Sequence, residues 1–173
     1  GLARALMRAG RLDDAEARLQ PLRAHSAGAV WVEGLAAEIR LARNDPAGAI
    51  RILEAAQKQS PSTRSLSYAL ADARILGGRA DAAATELRRR IGDRSGDPRL
   101  WQLLSRAYAA LGKRTEQHRT QAEVYYLRGS LPAAIEQLEI ARRANDGDFY
   151  TLSAVDARLR ELKQRLLEEK RER

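Results

Sequence analysis

Two histidines, His25 and His118, and no cysteine make up the chain's entire supply of soft metal ligands and thiol nucleophiles. A structural zinc site takes four such ligands and thiol catalysis needs a thiol, so neither chemistry has its residues here. HExxH, GxSxG, CxxC and glycine-rich phosphate-loop patterns do not occur in the sequence. His118 stands on a charged, glutamine-rich stretch and His25 in a loop between two amphipathic stretches, so both read as exposed surface residues. Acidic doublets such as Asp13-Asp14 and Glu168-Glu169 are adjacent in sequence and do not share a helix face. They read as solvating or helix-terminal charge. No catalytic residue, metal ligand or cofactor is expected in this chain.

What remains is charge. The 173 residues carry 31 basic against 23 acidic side chains, a formal +8, and 27 of the basic residues are arginine. Acidic partners follow from that balance, but a nucleic-acid surface also needs clustered cations and stacking aromatics. Aromatics are 5% of the chain, and most arginines alternate with acids and alanines, so nucleic acid is not the expected partner. The window 86–120 is the exception, with nine basic residues (Arg88, Arg89, Arg90, Arg94, Arg99, Arg106, Lys113, Arg114, Arg119) against four acids. With 31% charged residues and no apolar run near the length a bilayer demands, no membrane-spanning helix is expected. The opening Gly1-Leu-Ala-Arg-Ala-Leu-Met lacks an initiator methionine and an intact targeting pattern, and reads as cut from something longer.

The elements that must position these side chains are helices. Alanine, leucine, arginine and glutamate dominate, and no stretch alternates as a half-buried strand would. Turn markers at Gly10, Asn44, Gly78 and Gly112 stand 34 residues apart, and Gly129 follows after 17. A 34-residue period in an all-helical chain is the length signature of tetratricopeptide repeats, helix pairs that bury their apolar faces by stacking on neighbours. Small residues recur five after the marker (Ala15, Ala49, Ala83), leucine four further (Leu19, Leu53, Leu87), and small residues seven before it (Ala3, Ala37, Ala71, Ser105). The 17-residue step makes helix 114–128 both the second helix of one repeat and the first of the next. Gln117 and Gln121 replace the usual small and large apolar residues there, and Arg40 and Arg74 stand where the repeat usually has a large aromatic.

The expected fold is therefore all-α: a tetratricopeptide right-handed α-solenoid of about ten helices, near 2–9, 12–24, 30–43, 46–59, 63–77, 80–92, 98–111, 114–128, 131–144 and 150–171. Repeats fill 1–147, in frames of about 1–27, 28–61, 62–97, 98–128 and an overlapping 114–147, and 148–173 forms a capping helix with Leu159, Leu162 and Leu166 on one stripe. First helices of such pairs line the concave surface and are free for recognition. The inner-face register then yields Arg4, Met7 and Arg8; Trp31, Glu38 and Leu41; Tyr68, Asp72 and Ile75; Arg99, Gln102 and Arg106; and Arg119, Glu123 and Tyr126. Aromatic and arginine side chains dominate interface hot spots, so this face is the candidate site for a protein or peptide. Trp31 and Tyr68 are expected to face a common groove.

The C-terminal run Tyr125-Tyr-Leu-Arg-Gly-Ser-Leu-Pro-Ala-Ala-Ile-Glu-Gln-Leu-Glu through Asp148-Phe-Tyr-Thr-Leu-Ser-Ala-Val-Asp-Ala-Arg-Leu-Arg-Glu-Leu resembles the C-terminal tetratricopeptide region of bacterial periplasmic zinc metallopeptidases of the β-barrel assembly-enhancing type, and Gly1-Leu-Ala-Arg-Ala-Leu-Met-Arg-Ala-Gly-Arg-Leu resembles the middle of that region. The resemblance implies a parent with an N-terminal HExxH protease domain holding the zinc, exported to the periplasm and acting in outer-membrane protein assembly and quality control. This chain would then be its non-catalytic module, binding substrates or the outer-membrane assembly machinery and its client barrels. The alternative is a stand-alone cytoplasmic scaffold or co-chaperone adaptor that binds acidic peptide tails.

Overall fold

The computed structural model describes residues 2–25 and 29–171, and among them regular structure is helical throughout. Ten helices run in order: α1 (Leu2–Arg8), α2 (Leu12–His25), α3 (Val30–Ala42), α4 (Pro46–Gln59), α5 (Arg64–Leu76), α6 (Ala80–Asp93), α7 (Pro98–Ala110), α8 (Arg114–Leu127), α9 (Leu131–Ala144) and α10 (Phe149–Arg171). His25 is thus the last residue of α2 rather than a loop residue, its Nδ1 2.9 Å from the Pro21 carbonyl of the preceding turn. His118 is half-buried, not exposed, with Nδ1 2.9 Å from Gln137 Oε1 on α9. The boundary placed between the first two repeats at 27/28 lies outside the described residues.

The period has a backbone cause. Gly10, Asn44, Gly78, Gly112 and Gly129 all adopt positive φ, between 57° and 79°. At each, the marker's N–H bonds the carbonyl three residues back and the next N–H bonds the carbonyl five back, as in Gly112 to Ala109 (3.1 Å) and Lys113 to Tyr108 (3.0 Å). This double closure satisfies the orphan carbonyls of the ending helix and needs a left-handed residue, which glycine and asparagine supply at least cost. Proline opens α4, α7 and α9, where its missing N–H has no intrahelical role. Asp45 and Asp97 cap α4 and α7 by accepting the Gly48 and Arg99 N–H groups at 2.7 and 3.0 Å.

The chain forms two compact units, Gly1–Arg79 and Ala80–Arg173. The division follows the Gly78 turn, inside the frame 62–97, whereas the sequence reads as one array.

In the first unit each helix packs on the next, and α3 also touches α1 and α5. Ala15 and Leu19 meet Val32, Leu35, Ala36 and Ile39 in one core; Ala37, Ala49 and Leu53 meet Leu66, Leu70 and Ala73 in the other. In the second unit α8 packs on both α7 and α9. Its threonines serve where apolar residues are missing. Thr115 and Thr120 are fully buried, with hydroxyls donating to the Ala141 carbonyl and to the Glu116 and Gln117 carbonyls. Ser105 of α7 donates to the Gln117 carbonyl, keeping that crossing close. α10 packs on α9 and α8, burying Val155, Leu159 and Leu162 against Leu131, Ala134, Ile135 and Leu138.

One clasp ties the α9–α10 loop to the start of α8. Asp146 Oδ2 and Oδ1 accept the Arg114 and Thr115 N–H groups at 2.8 and 2.7 Å, and the Asp146 N–H donates to Thr115 Oγ1. The Thr115 hydroxyl beside it and these N–H groups lower the Asp146 pKa from 3.8 to about 2. A depressed pKa contributes stability that is complete above the unfolded value and lost as pH falls through the folded one. Stability should therefore decline between pH 3.8 and about 2 through this group. Asp146→Asn keeps one acceptor oxygen but sets an amide NH2 group against the second backbone N–H, so it should lower the neutral-pH stability by about 1 kcal/mol, the worth of one such hydrogen bond. It should also flatten this part of the profile in thermal melts; an unchanged slope would remove Asp146 as its source.

Candidate partner-binding face

The candidate residues fall on both units. In the first unit the neighbouring helices α1, α3 and α5 carry them. Arg4 and Glu38, both exposed, form a two-pronged pair, with Nη2 to Oε1 at 2.8 Å and Nε to Oε2 at 3.3 Å. They hold the same register position one repeat apart, so equal register on successive first helices brings their side chains together. Arg8 is exposed on α1. Met7 and Leu41 are half-buried against the two cores, which assigns them to helix packing more than to recognition. Trp31, in the first turn of α3, is 59% exposed. Tyr68 and Asp72 lie half-buried on α5, and both hold interactions within the fold.

In the second unit α7 carries Arg99, Gln102 and Arg106; Arg99 Nη1 donates to Gln102 Oε1 at 3.3 Å, and Arg106 is exposed. α8 carries Arg119, Glu123 and Tyr126. Arg119 is half-buried, and its Nε, like Glu116 Oε2 one turn earlier, is buried without a hydrogen-bond partner. Such orphaned polar atoms carry a desolvation cost that a partner group can relieve. Glu123 and Tyr126 are covered by α10. Arg158 grips Glu123 with Nε and Nη2 at 2.9 and 2.8 Å, its guanidinium 4.4 Å from the Tyr126 ring centroid. Arg165 lies 5.4 Å over the same ring and donates to the Tyr126 hydroxyl at 2.6 Å. Glu123 and Tyr126 thus hold α10 in place.

Several polar residues that shape these faces were not singled out by register. Arg40 and Arg74, standing in for aromatics, reach back to the preceding second helix and pair with Glu16 (3.1 Å) and Glu54 (2.9 Å). The stem packs where a ring would and the head is neutralised. Arg23 pairs with Glu33 at 2.7 and 3.3 Å, and Glu33 is buried. This pair borders a cleft of about 350 Å³ beside α4. In the basic window, Arg89 and Arg90 both close on Glu86, and the Arg89 hydrogen bonds, with Arg90 beside them, hold that carboxyl below its usual range. Trp101 donates its Nε1–H to the Ser95 carbonyl. Among the described residues no group of three or more His, Cys, Asp or Glu side chains is placed to hold a metal ion, and no helix is long and apolar enough to cross a membrane.

Comparison with known proteins agrees with the period. A tetratricopeptide repeat family model matches residues 40–107. The beta-barrel assembly-enhancing protease of Escherichia coli K12 is 34% identical over 164 residues, covering 95% of this chain and 34% of that protein. The Yersinia pestis protein of the same name is 33% identical over 163 residues, 94% of this chain and 34% of its own length. The chain thus spans about a third of the length of these relatives. Among solved structures, MamA from Desulfovibrio magneticus RS-1 superposes with a TM-score of 0.64 at 15% identity, covering 94% of this chain and 92% of that one. A thermophilic tetratricopeptide-repeat protein of Thermus thermophilus follows at 0.56 and 17%, covering 90% and 94%.

Proposed function

We propose that this chain, whose tetratricopeptide-repeat fold is one that binds proteins and peptides, is the non-catalytic, partner-binding part of a periplasmic zinc metalloprotease that assists outer-membrane protein assembly and quality control. The observation that carries this reading is the match along 95% of the chain to one third of a beta-barrel assembly-enhancing protease. The zinc and the peptide-cleaving residues belong, on this reading, to another part of the protein.

The repeats present client or machinery segments to the protease, and in the first unit the face of α1, α3 and α5 does so through Trp31 and Tyr68. Purified chain is mixed with a denaturant-diluted outer-membrane β-barrel protein, with a folded soluble protein as control. Preferential binding of the unfolded barrel is expected. Trp31→Ala with Tyr68→Ala should weaken it about tenfold or more, since aromatic anchors carry most interface energy. Trp31→Ala alone should leave the melting temperature unchanged, since its side chain is largely exposed. Equal affinity for both proteins, or capture indifferent to both substitutions, overturns the reading.

A further inference from the structure

One end of the second unit gathers features that the partner-binding face does not use. Phe149 and Tyr150, the first residues of α10, are 78% and 82% exposed, with ring centroids 5.8 Å apart in an edge-to-face arrangement. The loop that mounts them is fixed. Asp146 clasps the start of α8, and Asp148 Oδ1 accepts the Thr151 N–H at 2.7 Å. Gly147 lies so close beneath that an added Cβ would come within 3.1 Å of the Thr115 and Thr151 side chains. Two large rings thus stand out into solvent from a fixed loop, where they contribute nothing to the core.

Their neighbours are cationic. Lys113 and Arg114 at the start of α8, and Arg142 and Arg143 at the end of α9, are exposed. The carboxylates in this region are committed: both Asp146 oxygens to backbone N–H groups, Asp148 to the cap of α10 with Lys113 nearby, and Glu139, which also faces Arg142 and Arg143, to Lys163 of α10 at 2.7 Å.

From this juxtaposition we propose that the Phe149–Tyr150 tip is a peripheral docking point for an anionic lipid surface: the rings enter the headgroup boundary and Lys113, Arg114, Arg142 and Arg143 meet the phosphates. Aromatic side chains favour that boundary, and attraction to anionic lipid adds to the buried apolar area. A peptide needs a groove to lie in; these rings protrude, and a bilayer boundary accepts protrusions.

The test uses vesicles of phosphatidylcholine with and without about a third phosphatidylglycerol, near the surface charge of anionic membranes. Co-sedimentation is expected with the anionic vesicles only, falling at high salt as screening demands. Phe149→Ser with Tyr150→Ser should reduce the bound fraction roughly tenfold. Arg142→Gln with Arg143→Gln should reduce it severalfold through charge alone, and both pairs should stay folded with melting temperatures within a few degrees of the parent, because the replaced side chains are exposed and no like charge is added at the C-terminus of α9. Absence of binding to anionic vesicles at low salt overturns the proposal, as does binding that survives both double substitutions. Binding of poly-glutamate at these residues without vesicle affinity also overturns it and assigns the tip to an acidic polypeptide. The partner-binding reading stands or falls separately, since Trp31 and Tyr68 take no part here.

Discussion

Substituting Ala49 by leucine is expected to destabilise the first unit by about 3 kcal/mol, because a fully packed site has no room for the added carbons and must shift backbone or force poor rotamers. Ala49 is 0% exposed and shares its core with Ala37 of α3, where two small side chains let the helices approach closely. The same register position holds Ala15, Ala83 and Ala134, each as completely buried. A loss of that size in a unit of this length lowers the melting temperature by roughly 10 °C or more. Ala55 lies on the same helix with its side chain in solvent, so Ala55→Leu should change stability by less than about 0.5 kcal/mol. Far-UV circular dichroism melts of the two variants decide the matter. Equal midpoints would mean that the α3–α4 crossing is not set by side-chain size.

That contrast explains why the fold was legible and much of the site was not. The helix ends are written locally: a left-handed residue every 34 positions, then small and large residues at fixed offsets, each dictated by the backbone or by the nearest crossing. Register also put Arg4, Glu38, Asp72, Arg106 and Glu123 in one position of successive frames. Opposite signs in one register position were the available signal for the Arg4–Glu38 pair. Register cannot say which second-helix carboxylate Arg40 or Arg74 will reach, since Glu16 and Glu54 sit at different offsets. Nor does anything around Asp146 announce that its carboxylate caps a helix beginning 32 residues earlier in the chain. The covering of Tyr126 by α10 is another such case, because Arg158 and Arg165 lie in a helix chosen from sequence for its leucine stripe alone.

Arg158→Met is expected to cost about 2 kcal/mol, below the roughly 3–5 kcal/mol typical when one partner of a fully buried ion pair is removed, because solvent reaches part of this one. The side chains of Arg158 and Glu123 are 22% and 18% exposed. Burial works against the charged guanidinium, and the hydrogen bonds to Glu123 and Glu161 outweigh it, so its pKa is raised. Methionine keeps the stem's packing while stranding the Glu123 carboxylate and removing one of the two cations stacked on Tyr126. Glu123→Gln in the same chain should restore at least about half of the loss, since no unpaired charge is then left behind; the cycle of the four proteins measures the coupling directly. A coupling near zero would leave Val155, Leu159 and Leu162 as the sole anchors of α10. The pair has a precedent in the first unit: Arg158 stands 35 residues from Glu123, as Glu38 stands 34 from Arg4. α10 therefore occupies, relative to α8, the place that α3 holds relative to α1. The Arg158–Glu123 pair thus joins α10 to α8 as the Arg4–Glu38 pair joins α3 to α1, and Lys163 adds a 2.7 Å bridge to Glu139 of α9.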